Sequence, residues 1–353
     1  MGAGSSMRGF LDRDFLKTVE GFFFCVVGGT HPRNRVISYL KYVPSREGRW
    51  GRQGESYSRT MPNYTIPSLA ANLHMLSKQY PQYIFHSRTL NVTMSAVPKR
   101  FVAEHYVPEK QLKHLFSAEE VDPLQDTALQ LASHLSQETS IPKDHFGITG
   151  SILTNIHQPT FSDIDLVVYG RDEGWKLKRY LQREFEADNS VLTRHRGEAV
   201  TKLLEKWLNK YPLTLNEAAE IFRRRWNYGF FKKTPFSIHV VKTRGEFLDV
   251  YGDKRYNPLT LVEGKAKITD VENSLVLPCT YDVDFLEVLK GGVTVENIVS
   301  YDGFYGGIYD SGDVVKVRGK LEKVWDKRHR RVYHRIVVGS LEAHGKDYIK
   351  PIL

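Results

Sequence analysis

The 353-residue chain reads as a multi-domain α+β protein, and three features of its patterning predict this. Its middle alternates strand-like and helix-like stretches, the pattern of sheets covered by helices. From about Val262 onward, short alternating runs broken by Gly and Asp turns indicate a β-rich region. Its length exceeds what one hydrophobic core usually serves, so two or three domains are expected. We place them at 1–116, 117–258 and 259–353.

The elements follow in chain order. Apolar runs predict strands at Gly21–Gly28 and Arg35–Tyr42, and the Gly-, Ser-, Arg- and Pro-rich stretch Val43–Tyr64 predicts a long basic loop. Helical spacing covers Ile66–Tyr80 and Pro108–Phe116. A helix is expected over Val121–Leu135, with Ser117 and Glu120 as a capping box. Strands follow at His145–Thr149 and Ile164–Val168. Helices are expected at Gly174–Phe185, Glu198–Tyr211 and Asn216–Trp226, then a strand at Phe236–Val241. In the last region Val314–Val324 pairs with Val332–Val338 around a basic turn, Asp326–Arg331. Further turns are expected at Gly291-Gly292, Gly306-Gly307 and Ser311-Gly312, and the region is expected to form a small OB-like barrel.

Composition narrows the class of partner. A hydrophobic fraction of 41% with 12% aromatic residues excludes a wholly disordered chain. The net charge of +9 and pI near 9.3 favour phosphate-rich partners, although solubility alone also accounts for such charge. The two cysteines, Cys25 and Cys279, have no metal-ligand spacing and read as free thiols of a reducing compartment. Phe22–Val27 is too short to span a bilayer, and Met1–Ser6 lacks the apolar stretch of a secretion signal. The expectation is a soluble, cytoplasmic protein with no membrane partner.

The chemistry concentrates in Phe146-Gly-Ile-Thr-Gly-Ser-Ile-Leu153 and Phe161-Ser-Asp-Ile-Asp-Leu-Val-Val-Tyr169. A strand ends at Gly150-Ser151, where a glycine permits close backbone approach and the Ser151 hydroxyl can hold phosphate oxygens. Strand alternation puts Asp163 and Asp165 on one face and sends Ile164 and Leu166 into the core. Two carboxylates side by side repel one another, and a divalent cation between them relieves that cost. A lone Asp-x-Asp is common on surface strands; the ordered combination with Gly-Ser is far more specific.

These residues resemble the polymerase-β-type nucleotidyltransferase superfamily, whose signature is an apolar residue, Gly, then Gly or Ser, a spacer of roughly ten residues, and an apolar-flanked Asp-x-Asp. The resemblance covers about Asp122 to Asp253. It implies Mg²⁺- or Mn²⁺-dependent transfer of a nucleoside monophosphate from an NTP to an acceptor. Asp163 and Asp165 would hold the metal, and Gly150 and Ser151 would hold the nucleotide. Active members usually carry a third carboxylate on a later strand. In Phe236-Ser-Ile-His-Val-Val-Lys242 the matching position is His239, which either ligates a metal or accepts a proton, or is an inert strand residue. Asp249 and Asp253 are nearby alternatives in a less suitable loop context. Arg13-Asp14-Phe15, Val26-Val27, His31-Pro-Arg-Asn-Arg35, Arg225-Trp-Asn227 and Phe236-Ser-Ile-His239 are similar to an uncharacterised archaeal nucleotidyltransferase-like group.

Other cations are candidates for phosphate contacts. Lys176, Arg179 and Arg183 share a helix face with Lys178 close by; of these Arg179 is the nucleotide-binding candidate, a solvated face being the alternative. Arg223, Arg224 and Arg225 lie beside Trp226 and Tyr228, which can stack on a base, while Trp226 can equally anchor the core. Lys327, Arg328 and Arg330 crowd the C-terminal hairpin turn near Tyr301, Phe304, Tyr305 and Tyr309, a set suited to single-stranded nucleic acid or to a solvated turn over core aromatics. Two functions therefore stand: an NTP-using transferase with RNA or another acceptor, and a non-catalytic nucleic-acid-binding protein that keeps the fold. The sequence does not set the oligomeric state.

Overall fold

A computed structural model describes residues 8–51, 54–61, 65–287 and 292–353. Residues 1–6, Gly291 and parts of the expected loop 43–64 lie outside the described residues. The architecture is mixed α/β, with three sheets in chain order. Among the described residues no helix is long and apolar enough to cross a membrane.

The first part contains β1 (Phe15–Thr18), β2 (Phe23–Val26), β3 (Arg35–Pro44), β4 (Tyr57–Arg59), α1 (Ile66–Gln79), β5 (Ile84–Ser87), β6 (Val92–Pro98) and β7 (Val102–Tyr106). The strands form a seven-stranded sheet in the order β5-β6-β3-β2-β1-β7, with β4 added to β3. All four residues of β2 are buried, because both faces of the sheet are covered. Phe24 and Val26 join Leu76 of α1 and Tyr83, while Phe23 and Cys25 face Leu153 and Ile156 of the next part. The expected loop holds β4, and β5 to β7 lie where the sequence pattern predicts no strand.

The central part contains α2 (Pro108–Ser117), α3 (Pro123–Thr139), β8 (Phe146–Ile148), α4 (Gly150–Leu153), β9 (Ile164–Tyr169), α5 (Arg171–Glu186), β10 (Leu192–Thr193), α6 (Glu198–Leu208), α7 (Leu215–Arg224), β11 (Tyr228–Phe231) and β12 (Thr234–Val241). The sheet runs β10-β11-β12-β9-β8, with β9 and β12 parallel and every other pair antiparallel. The cap of α3 is Asp122, not Ser117: its carboxylate accepts from the Leu124 and Gln125 N–H groups, and the Gln125 side chain accepts the Asp122 N–H. Pro123, lacking an N–H, sits at the first helical position, which favours that start. Ser117 instead ends α2, donating to the Lys113 and His114 carbonyls.

Ile164, Leu166 and Val168 share a face with Phe236, Ile238 and Val240, and all six enter one core with residues of α3 and α5. Burying such side chains contributes about 2 kcal/mol each. A one-residue slip would turn them to the other face and out of this core, so the apolar face fixes the register and leaves Asp165, Ser237 and His239 on the opposite face. Leu112 and Leu115 of α2 belong to this same core, so that helix packs with the central part although the expected boundary at 116 assigned it to the first.

The last part contains β13 (Lys254–Asp270), β14 (Cys279–Phe285), β15 (Asn297–Ser300), β16 (Val314–Asp326), β17 (Arg331–Val338) and β18 (Tyr348–Pro351). The sheet order is β13-β14-β15-β17-β16-β18, and β13 also pairs with β16. Strand β13 begins at Lys254, ahead of the expected boundary at 259. The expected hairpin is present, with β16 running to Asp326 and β17 from Arg331.

Candidate active site

The site forms where β8 passes into α4 beside the start of β9. Gly150 has φ +67°, and a side chain there would collide with Asp165 Oδ2, so only glycine brings the backbone this close to the carboxylate. The Thr149 N–H donates to the Asp165 carbonyl at 2.8 Å, holding the turn against β9. Ser151 is buried in the first turn of α4. Ser162 accepts the Gln158 N–H at 3.0 Å, which closes the loop that delivers Asp163 to the exposed rim.

Asp165 and His239 are linked through Ser237, which no sequence pattern singles out. Ser237 stands opposite Asp165 in the parallel register, whereas His239 stands opposite Val167. The Ser237 hydroxyl donates to Asp165 Oδ1, and His239 Nε2 lies 3.1 Å from Ser237 Oγ. With the hydroxyl proton committed, the second contact requires a proton on Nε2, which assigns the tautomer. The chain is His239 to Ser237 to Asp165. His239 Nε2 itself stays 3.8 Å from Asp165 Oδ1.

Charges around this chain separate the protonation behaviour of the two carboxyls. Asp163 is pushed up to about 6, chiefly by the negative charge of Asp165. Burial pulls Asp165 upward, but the nearby His239, the Lys41 charge and the Ser237 hydrogen bond outweigh it and hold Asp165 well below the usual carboxylate range. His239 is pulled down to about 4 by burial and by the nearby Arg13 charge, so it is neutral at neutral pH.

The cations of the site come from the first sheet. Lys41 lies on β3 and Arg59 on β4, and both act electrostatically on Asp163. Lys41 is buried, with its ammonium 5.1 Å from the Phe15 ring centre. Arg13 occupies the left-handed region at φ +69°, and its carbonyl accepts the Thr149 hydroxyl at 2.7 Å. Two contacts lock the sheets together: the Gly51 N–H donates to the Ile156 carbonyl at 2.8 Å, and Gln158 Nε2 donates to the Gly51 carbonyl at 2.6 Å. Arg13 was visible only as part of a resemblance, and nothing local marks Lys41 or Arg59, because their approach depends on long-range sheet packing.

The remaining expected residues lie elsewhere. Arg179 is exposed on α5, which packs through Gly174 against Val240 on the sheet face opposite the carboxylates. Lys176 and Arg183 are likewise exposed, and Lys178 is buried and pairs with Asp310 at 3.2 Å. Arg223 pairs with Glu220, and Arg224 pairs with Glu220 and Asp313. Arg225 is buried, donates to the Phe304 carbonyl at 2.7 Å, and lies 4.8 Å from the Phe304 ring centre. Trp226 is a core residue, leaving Tyr228 as the exposed ring of that pair. Phe304, Tyr305 and Tyr309 are also core, and Tyr301 alone of that group is exposed. Lys327, Arg328 and Arg330 occupy the exposed β16–β17 turn. Asp249 pairs with Lys254, and Asp253 accepts the Val250 N–H, so neither joins Asp163. Among the described residues no three His, Cys, Asp or Glu side chains form a group that could hold a metal ion.

No protein-family model matches the chain, and no solved structure matches it. Over 341 residues it is 28% identical to an uncharacterised protein of Methanocaldococcus jannaschii, covering 96% of this chain and 98% of that one. The similarity therefore takes in all three sheets and not the central one alone.

Proposed function

We propose that the chain is a Mg²⁺- or Mn²⁺-dependent nucleotidyltransferase that moves a nucleoside monophosphate from an NTP to an acceptor hydroxyl. The observation that carries this reading is the fit of the Gly150 backbone against Asp165, with Asp163 immediately before β9 and within reach of the Asp165 charge. The strand arrangement supports a polymerase-β-like core, since β9 has β8 antiparallel on one side and β12 parallel on the other. In the last part the pairings run β13-β14-β15-β17-β16 and return to β13, which supports an OB-like barrel.

The donor set suits a hard cation that shares its coordination with substrate. Mg²⁺ is commonly bound by one or two carboxylates together with substrate phosphates, so Asp163 and Asp165 suffice without a third acid. Bound there, the ion would neutralise charge developing on the phosphates. Ser237 and His239 would hold Asp165 ionised and oriented, and Lys41, Arg59 and Arg13 would supply positive field from the facing sheet. In the transfer, the acceptor oxygen bonds to the α-phosphorus as the bond to pyrophosphate breaks, and the hydroxyl proton leaves to solvent.

A non-catalytic nucleic-acid-binding protein is the second reading, favoured by the Ser237 and His239 pair where an acid would be expected. Incubation with each α-labelled NTP, Mg²⁺ or Mn²⁺, and pooled cellular RNA and protein separates the two. Label transfer abolished by Asp163→Asn and Asp165→Asn supports the enzyme; absence of transfer in every condition supports the binding protein.

A further inference from the structure

A cavity of about 510 Å³ opens at the β10–β11 edge of the central sheet, away from the carboxylates. Arg194, His195, Arg196, Lys232 and Lys233 line it around Phe230, and among the described residues no carboxylate does. Strand register places it relative to the site. Asp165 is opposite Ser237, Ser237 is opposite Tyr228, and Phe230, two residues along β11, is opposite Thr193. Directly opposed residues and residues two apart share a face. The cavity therefore opens on the face that carries Asp165, three strand spacings away, or about 14 Å at ~4.8 Å per strand. Tyr228, exposed, lies between them.

The lining is built to stay in place. Arg194 donates to the Phe222 and Arg223 carbonyls at the end of α7, and its guanidinium lies 4.7 Å from the Phe222 ring centre. The His195 ring meets Phe230 edge-on at 4.8 Å. Lys232 and Lys233 form the two-residue turn between β11 and β12 with φ of +49° and +72°. Asn-Gly suits such a turn without strain; two lysines do not. Strain kept at a charged tip points to a use for the charge.

Repeated cations beside flat rings match a strand of phosphates with accessible base faces. A duplex offers no base faces to Phe230 and Tyr228, and a recess does not fit a flat lipid surface. We propose that this cavity binds single-stranded nucleic acid, with phosphates on Arg196, Lys232 and Lys233 and a base against Phe230. Its path across Tyr228 leads the strand end to Asp163 and Asp165. The binding stands by itself, and the acceptor role rests on the nucleotidyltransferase reading.

The test uses the full chain with a fluorescent, unstructured 12-nucleotide RNA and its DNA counterpart, titrated by anisotropy at several salt concentrations. The double variant Lys232→Asn/Lys233→Gly removes both charges while giving the turn its preferred residues, so its Tm should equal or exceed the parent's. Its affinity should fall, and the slope of log K against log salt should shrink by about 1.4, since each phosphate neutralised on a single strand adds ~0.7 to that slope. Phe230→Ala should weaken binding by roughly 5- to 150-fold, the range for removal of one stacking ring. Parent-like affinity and slope in the double variant overturn the proposal, as does absence of binding by the parent to either oligonucleotide. Loss of binding to vesicles with 30% phosphatidylserine, with RNA and DNA binding unchanged, overturns it in favour of a membrane. If the variant loses binding but the parent transfers no nucleotide, the cavity assignment stands and the transferase reading fails. If the parent transfers nucleotide and the variant keeps binding, the reverse holds. A preference for RNA or DNA in the parent identifies the source of the strand.

Discussion

Ser237 stands directly across from Asp165 in the parallel pairing of β9 with β12, and its hydroxyl hydrogen goes to Asp165 Oδ1. That relationship makes position 237, and not 239, the place from which an acid would reach the carboxylate pair. Ser237→Asp should therefore complete a three-carboxylate set and tighten Mn²⁺ binding at least tenfold, about 1.4 kcal/mol. His239→Asp should not, because its neighbour across the strand is Val167. Isothermal titration with Mn²⁺ measures both, and equal gains would mean the register does not govern the site.

Metal and pH should act on stability together. In the metal-free protein Asp163 is raised from 3.8 to about 6, chiefly by the Asp165 charge. A carboxyl raised on folding contributes stability that is complete below the unfolded value and is lost as pH rises through the folded one. Metal-free Tm should thus decline between about pH 4 and pH 6 relative to Asp163→Asn. Mg²⁺ or Mn²⁺ should raise Tm little near pH 5 and more above pH 6, and Asp163→Asn should abolish that gain. A metal-induced shift of the same size in Asp163→Asn would place the ion elsewhere.

Much of this was legible, and what was hidden has physical reasons. Strand alternation alone separated Asp165 from Ile164 and Leu166, and a glycine marked the close turn. Local patterns also found most helices, within a few residues at each end. Parallel pairing joins β9 to a strand some seventy residues later in the chain, so Ser237 could not be distinguished from His239 by sequence order. Lys41 and Arg59 reach the site through sheet-on-sheet packing, which leaves no local signature. The Arg223 to Arg225 run looked uniform, yet only Arg225 is buried.

That difference in burial predicts opposite outcomes along the run. Arg225→Ala removes a buried cation whose hydrogen bonds to the Gly303 and Phe304 carbonyls join the central and last parts. It should cost about 3 kcal/mol, the scale of charged hydrogen bonds removed from a buried site. Arg223→Ala, which loses an exposed pair with Glu220, should cost less than about 1 kcal/mol. Urea unfolding of both variants makes the comparison, and similar losses would contradict it.

Gly150 offers a sharper structural test. Alanine there must adopt φ near +67° and also displace Asp165, whereas alanine at Gly197, at φ +56°, meets nothing within 4 Å. The left-handed conformation costs about 1–2 kcal/mol in either place. Gly150→Ala should therefore be the more destabilising of the two, and it alone should lower metal affinity. Calorimetric metal titration of the pair, beside their melting curves, checks this.

Nucleotidyl transfer by this chain is read most simply in a single turnover, from α-labelled NTPs to RNA in the presence of Mg²⁺ or Mn²⁺. Label should appear on the acceptor, with a loss of at least about 100-fold in Asp165→Asn, the scale expected when a preorganised charge is removed from a reacting phosphate. Transfer by Asp163→Asn and Asp165→Asn at the parental rate would contradict it.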